Sequence, residues 1–132
     1  MKYTLEERKE RARQLRKEGK NCCQCVAMVF DDVADADPEM LSRIAAGFGS
    51  GFGAQGDVCG VMSGVTMVTG LVYDSLARPA LYAKVRQPMD AFKEMNGSYI
   101  CRELKQPGRR PCIDLITDGV EILHRQLEAD GF

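Results

Sequence analysis

One stretch of the chain, Val58–Tyr73, contains no charged residue, although 28% of the whole sequence is charged. In a globular protein, a helix without a polar face is buried on all sides. Gly60 and Gly64 lie four positions apart, on one face of such a helix, and leave room for a second backbone. The stretch therefore predicts a buried, glycine-rich central helix around which the other elements pack.

The residues at the start of this stretch predict how the central helix begins. Asp57 is of a preferred N-cap type, whose carboxylate accepts from the free N–H groups of the first turn. Cys59 then falls in that turn, where the positive end of the helix dipole favours a thiolate over a thiol. The sequence thus predicts a cysteine with a lowered pKa at the tip of a buried helix.

The rest of the chain carries helix start signals, and no segment shows the alternating pattern of a strand. Thr4 and Glu7 fit a capping box that opens a helix to about residue 18. Other helices are predicted over 22–32, from Pro38, from Pro79 with a kink or interruption at Pro88, over 98–104 and from residue 112. We therefore predict one all-α domain over residues 1–132, a compact bundle of about five to six helices.

Three further features receive structural interpretations. The basic run 8–20 is interleaved with glutamates, which is typical of a solvated helix face. The segment 47–56 alternates glycine with other residues and includes Phe48 and Phe52, whose rings favour burial, so we expect an ordered loop against the core. His124, the only histidine, is interpreted as a surface or boundary residue of the last helix.

Composition disfavours several function classes. The formal net charge is −1, which gives no reason to expect nucleic acid or an anionic membrane as a partner. The uncharged stretch is shorter than the ~20 residues of a membrane span, and the first residues lack the apolar core of an export signal. We therefore expect a cytoplasmic protein, in which six cysteines indicate metal or redox chemistry more than structural disulfides.

Four of the cysteines form the candidate site. Cys22, Cys59 and Cys112 each lie in the first turn of a predicted helix, where thiol pKa values fall, and Cys101 lies on the short helix before Cys112. If these helix starts converge, they form a hollow that stabilises negatively charged sulfur. Such a hollow suits thiol–disulfide exchange or a metal with thiolate ligands. Each cysteine taken alone could instead be a small buried apolar residue.

The pattern resembles the C_GCAxxG_C_C family, whose name describes redox-active proteins. The resemblance covers residues 21 to about 112, and the family's four cysteines fall by motif position on Cys22, Cys59, Cys101 and Cys112. Its Cys-Gly-Ala-x-x-Gly core falls on residues 59–64, where this chain has Val61 in place of the usual alanine. Cys23 and Cys25 stand where the family has small apolar residues, and we interpret them as extras. The resemblance implies a helical fold and redox activity.

Two main functions are predicted. The first is a cytoplasmic redox protein, with a thiol-dependent oxidoreductase as the corresponding enzyme class and an unidentified redox partner. In it Cys22, Cys59, Cys101 and Cys112 cycle between thiol and disulfide; Cys59 is the expected nucleophile, and Cys22 or Cys112 resolves the mixed disulfide. The alternative is a module in which the same four thiolates hold an iron–sulfur cluster or a zinc ion.

Two other possibilities come from the glycines. The loop 47–56 could act as a lid over a small-molecule site, in which case the cysteines would not be needed for function. The face that carries Gly60 and Gly64 could pack against the same helix of a second copy and form a homodimer. Close packing within one chain explains the same two glycines equally well.

Overall fold

The structure, a computed structural model, describes all residues from Met1 to Phe132. It contains eight α-helices and no strand, and its one β-bridge pairs Val58 with Ile100. The all-α prediction is confirmed, although there are more helices than the five or six expected. They are α1 Leu5–Lys17, α2 Cys22–Met28, α3 Asp31–Ala34, α4 Pro38–Ala45, α5 Gly60–Val72, α6 Arg78–Asn96, α7 Cys101–Leu104 and α8 Cys112–Ala129, with a 3₁₀ turn at Ala46–Phe48.

Side-chain caps open the first helices of the chain. The Thr4 hydroxyl accepts from the Glu7 N–H at 3.1 Å while the Glu7 carboxylate accepts from the Thr4 N–H at 2.9 Å, so the predicted capping box is confirmed. Asn21 forms the same reciprocal pair with Gln24 at the start of α2. These bonds satisfy N–H groups that have no partner within the helix, and they fix where α1 and α2 begin.

Helix α5 lies at the centre of the fold, as predicted, but it is not buried on all sides, since Leu71 is 46% exposed. Val61, Met62, Val65 and Val68 are all almost completely buried. Helix α2 lies close against it, since a Cβ added at Gly64 would stand 2.9 Å from the Cys23 carbonyl oxygen. Glycine at this position therefore lets two backbones approach within a single chain.

A glycine in α8 accommodates the side chain of Val61 in α5. A Cβ added at Gly119 would collide with the Val61 Cγ1 methyl group. The absence of a side chain at Gly119 therefore provides the space that valine needs beyond alanine. Helices α5 and α8 remain in close contact as a result.

The start of α5 differs from the prediction. Cys59 itself is the N-cap residue, and the helix begins at Gly60. The Asp57 carbonyl oxygen instead accepts from the Cys101 N–H at 2.7 Å, while its carboxylate lies 3.7 Å from the Arg102 guanidinium. Asp57 is therefore used to join two segments of the chain, and it does not cap the helix.

The basic face predicted for α1 is interrupted by a buried arginine. Arg8 is completely buried and forms a two-pronged ion pair with Asp32, both bonds measuring 2.7 Å. Its Nε donates to His124 Nδ1 at 3.1 Å, and His124 is only 6% exposed. The interpretation of His124 as a surface or boundary residue is therefore wrong. The side chain is buried because Arg8 supplies a hydrogen-bond donor inside the protein.

Arg8 also explains why the helix predicted over 22–32 is divided. Its Nη1 donates to the Val29 carbonyl oxygen at 2.5 Å, and α2 ends at Met28, just before Val29. The separate helix α3 begins at Asp31, two residues after Val29. A guanidinium group thus takes a carbonyl that a continuous helix would use internally.

The predictions for Pro88 and for the glycine-rich loop 47–56 have different outcomes. Helix α6 continues through Pro88, whose ring is buried, so the segment is not interrupted there. The loop 47–56 is ordered by its own backbone bonds, including Gly53 N–H to Gly47 at 2.9 Å. Phe52 is nevertheless 43% exposed and stacks edge-on against Phe48 with ring centres 4.9 Å apart. The expectation that both rings are buried is wrong for Phe52.

None of the eight helices is both long and apolar enough to cross a membrane.

Candidate functional site

The four family-matched cysteines line one small cavity. Its walls are Cys22, Cys59, Cys101 and Cys112, completed by the side chains of Val61, Leu104, Lys105 and Leu115. The cavity volume is about 10 Å³, close to the least space that can hold one water molecule. Residues that are far apart in the sequence therefore meet at one point of the fold, as the helix-start argument predicts.

Each of the four cysteines stands at the beginning of a different helix. Cys22, Cys101 and Cys112 are the first residues of α2, α7 and α8, and Cys59 is the N-cap residue of α5. Helices α2 and α7 are short, with 7 and 4 residues, whereas α5 and α8 have 13 and 18. The cavity is therefore formed where four helix starts converge.

A short backbone pairing sets Cys59 beside Cys101. The Cys59 N–H donates to the Tyr99 carbonyl oxygen at 2.8 Å, and the Cys101 N–H donates to the Asp57 carbonyl oxygen at 2.7 Å. These two bonds flank the antiparallel bridge between Val58 and Ile100. The pairing is too short to leave an alternating pattern in the sequence, so sequence reasoning missed it.

Gly60 gives the Cys22 sulfur its place in the site. A Cβ at Gly60 would overlap the Cys22 Sγ atom, and it would also stand 3.2 Å from the Cys23 nitrogen and the Phe48 carbonyl oxygen. Only a residue without a side chain leaves this space open. The Cys-Gly pair at residues 59 and 60 therefore places one cysteine and makes room for another.

The four thiols fall into two pairs by exposure. Cys59 and Cys101 are 5% and 4% exposed, while Cys22 and Cys112 are half-buried. A thiol on the outer side can meet a second molecule, whereas a thiol on the inner side reacts most readily with another thiol of the cavity. We therefore call Cys22 and Cys112 the outer pair and Cys59 and Cys101 the inner pair.

Burial determines the protonation of the inner thiols. It raises the pKa of Cys59 to about 12, and the opposing effect of the Val61 and Met62 N–H groups is smaller. It also raises the pKa of Cys101 above its ordinary value. The prediction of a lowered pKa at Cys59 is wrong, because burial of the sulfur away from water raises its pKa by more than the helix start lowers it.

The thiols are close enough to influence one another electrostatically. Beyond burial, negative charge on Cys22 or Cys101 further raises the pKa of Cys59, and charge on Cys22 or Cys112 does so for Cys101. Like charges at short range oppose each other's ionisation. Negative charge on a neighbouring sulfur therefore acts with burial to keep Cys59 and Cys101 protonated.

Cys23 and Cys25 lie outside the cavity. The Cys23 Sγ atom is 3.7 Å from the Met67 Sδ atom, and the Cys25 Sγ atom is 3.6 Å from the Lys20 carbonyl oxygen. Both are completely buried, and burial raises their pKa values to about 12 and about 11. They behave as packing residues, which agrees with their interpretation as extras.

The four cavity cysteines are also the ligands that a metal ion or cluster would use. No group of three or more His, Cys, Asp or Glu side chains is arranged to hold a metal ion. The cavity of about 10 Å³ also has no room for an iron–sulfur cluster bound by cysteines. The four sulfurs as arranged do not form the ligand set that the metal alternative requires.

A separate groove lies beside the glycine-rich loop. Its lining includes Phe48, Phe52, Met62 and Met89, and its volume is about 440 Å³, within the range of small-molecule sites. It is almost entirely apolar and none of the six cysteines lines it. This groove is where the small-molecule alternative, with the loop as a lid, would operate.

Fold and cavity together define an all-α protein with a cluster of four thiols at converging helix starts. A family model described as "Putative redox-active protein (C_GCAxxG_C_C)" matches residues 20–126. The chain belongs to this family, and the resemblance seen in its cysteine motif is confirmed. No curated protein and no solved structure matches the chain.

Proposed function

We propose that the protein is a thiol–disulfide redox protein whose reacting groups are Cys22, Cys59, Cys101 and Cys112. The observation that carries the proposal is that these four sulfurs line a single cavity. Exchange between thiols and disulfides requires sulfurs that can reach one another and one that can reach a partner. The inner and outer pairs supply these two requirements.

The reaction begins at the outer pair. A thiolate of Cys22 or Cys112 attacks one sulfur of a partner disulfide, forms a mixed disulfide and releases the first partner thiolate, which takes up a proton. An inner cysteine then loses its thiol proton and attacks the protein sulfur of the mixed disulfide, while the departing partner sulfur takes up a proton. The second partner thiol leaves, and the protein retains an internal disulfide. Two electrons have passed from the protein to the partner.

This order replaces Cys59 as the first nucleophile. Its thiol is buried and its pKa is about 12, so at neutral pH it is protonated and out of reach of a partner. Once a mixed disulfide exists next to it, the same position becomes suitable for the second attack. Cys59 is therefore assigned the resolving step, together with Cys101.

A redox titration with disulfide mapping tests the proposal. The full chain is equilibrated in mixtures of reduced and oxidised dithiothreitol, quenched with an alkylating reagent and digested for mass spectrometry. We expect disulfides only among the four cavity cysteines. Cys59→Ser should lose a disulfide, whereas the matched control Cys23→Ser, also a buried cysteine, should retain all of them.

Two results would overturn the proposal. One is a set of disulfides that includes Cys23 or Cys25 as often as the cavity residues. The other is iron or zinc bound in stoichiometric amounts to protein purified without oxygen and lost in Cys59→Ser, which would establish the metal alternative.

A further inference from the structure

Lys105 is the only charged residue that lines the cysteine cavity. It follows α7 directly, and its backbone N–H donates to the Cys101 carbonyl oxygen at 3.0 Å. Its ammonium group donates to the Ser50 hydroxyl at 3.1 Å. This bond to the glycine-rich loop holds a positive charge at the wall of the cavity.

The charge of Lys105 acts on the thiols themselves. Burial raises the pKa of Cys101, and the nearby Lys105 ammonium opposes that rise through its charge and a hydrogen bond. Lys105 and Cys101 line the same cavity. Any molecule that brings a disulfide to this cavity also comes close to the same positive charge.

The connector between Cys101 and Cys112 adds to this positive character. It carries four basic residues and one acidic residue. Arg102 lies 3.7 Å from the Asp57 carboxylate and Arg110 is paired with Asp118. Lys105 and Arg109 form no salt bridge, and the Arg109 guanidinium donates to the Asn96 carbonyl oxygen at 3.1 Å. The ammonium group of Lys105 is therefore not paired with a carboxylate of the protein.

Resting on the proposed function, we propose that the cavity selects disulfide substrates that carry carboxylates, and that Lys105 is the group that makes the selection. A protein charge at the point of attack attracts an anionic partner and repels a cationic one, which changes the rate of encounter. The sulfur chemistry is the same for both partners. Selection by charge therefore acts before any bond is broken.

Glutathione disulfide and cystamine are suitable probes, because the first carries carboxylates and the second carries only ammonium groups. With either probe, two protein thiols become one disulfide and the probe gives two thiol molecules, so atoms and electrons balance. The rate constant for oxidation of the fully reduced full chain is measured for both probes by timed alkylation. The ratio of the two rate constants is the quantity of interest.

Two variants make the comparison specific. Lys105→Gln removes the charge at the cavity, and Lys17→Gln removes the same charge from an exposed position on α1. We expect Lys105→Gln to lower the ratio of the glutathione disulfide rate to the cystamine rate by about fivefold, the effect of one close charge in water. The control should leave the ratio unchanged. Intrinsic differences between the probes cancel in this comparison.

Salt provides a measurement on the unaltered protein. Raising the ionic strength from about 0.01 M to about 1 M shortens the screening length from about 30 Å to about 3 Å. The preference for glutathione disulfide should shrink over this range. This test does not depend on whether a variant folds.

The outcomes separate the two proposals. If both probes oxidise the cavity cysteines but the ratio changes neither in Lys105→Gln nor with salt, the selection by charge is overturned and the redox function stands. If neither probe oxidises any of the four cysteines, the redox function itself is overturned. A lowered ratio in Lys105→Gln alone, with loss of the preference in salt, supports the selection.

Discussion

Replacement of Gly64 by alanine tests the packing that brings the cysteines together. The added Cβ would stand 2.9 Å from the Cys23 carbonyl oxygen and 3.0 Å from the Val26 Cβ atom. Neither neighbour is the free end of a flexible side chain, so α2 must move away from α5. Overpacking of this kind costs about 1–3 kcal/mol, whereas alanine gains about 1 kcal/mol over glycine in a helix. The two terms together lower the free energy of unfolding by up to about 2 kcal/mol.

Gly70 supplies a matched control in the same helix. A Cβ there would meet nothing within 4 Å, so Gly70→Ala should gain the helix-propensity term alone and stabilise the protein by about 1 kcal/mol. The two variants should move in opposite directions in urea unfolding, followed by far-ultraviolet circular dichroism under reducing conditions. If Gly64→Ala stabilises the protein by as much as Gly70→Ala does, the close approach of α2 and α5 is refuted.

Three other predictions follow from the buried groups. The free energy of unfolding should fall as pH drops below about 6.5, because burial lowers the pKa of His124 in the folded state. A further fall in the free energy of unfolding is expected between pH 3.8 and about 2, where Asp32, which is paired with Arg8, loses its charge. Urea unfolding at each pH should show both decreases. The variant His124→Gln should flatten only the decrease below pH 6.5. Arg8→Met should cost about 3 kcal/mol or more in the same assay, because it leaves the Asp32 carboxylate buried without its cation. Recovery in the double variant Arg8→Met with Asp32→Leu would confirm the reason. Gly60→Ala should displace the Cys22 sulfur and speed its labelling by iodoacetamide; unchanged labelling contradicts the geometry.

Local signals in the sequence predicted a large part of the fold. Capping residues such as Thr4 and Asn21 act on N–H groups two or three positions away, so their effect can be derived without the tertiary structure. The central position of Val58–Tyr73 can also be derived from the sequence, because a segment without charged residues favours burial over contact with water. The convergence of the four cysteines could be proposed because three of them lie at predicted helix starts, although only the fold could bring those starts together.

The errors concern interactions between residues distant in the sequence. Arg8 and His124 stand at opposite ends of the chain, and their mutual hydrogen bond is what makes both buried. The pKa of Cys59 depends on how much water the surrounding helices exclude, which a capping pattern does not contain. Lys105 was missed for a related reason. Its position four residues after Cys101 was visible, but its place at the cavity wall follows from the packing of α7.

The wide sequence spacing of the cavity cysteines links oxidation to the resistance of the whole chain against heat and proteases. A bond between Cys22 and Cys59 would close a loop of about 40 residues, and a cross-link of that span restricts the unfolded chain by roughly 4 kcal/mol in the chain-entropy treatment. An oxidised molecule would therefore outlast a reduced one during digestion or heating. Reduction would make the same polypeptide the easier one for a cell to degrade.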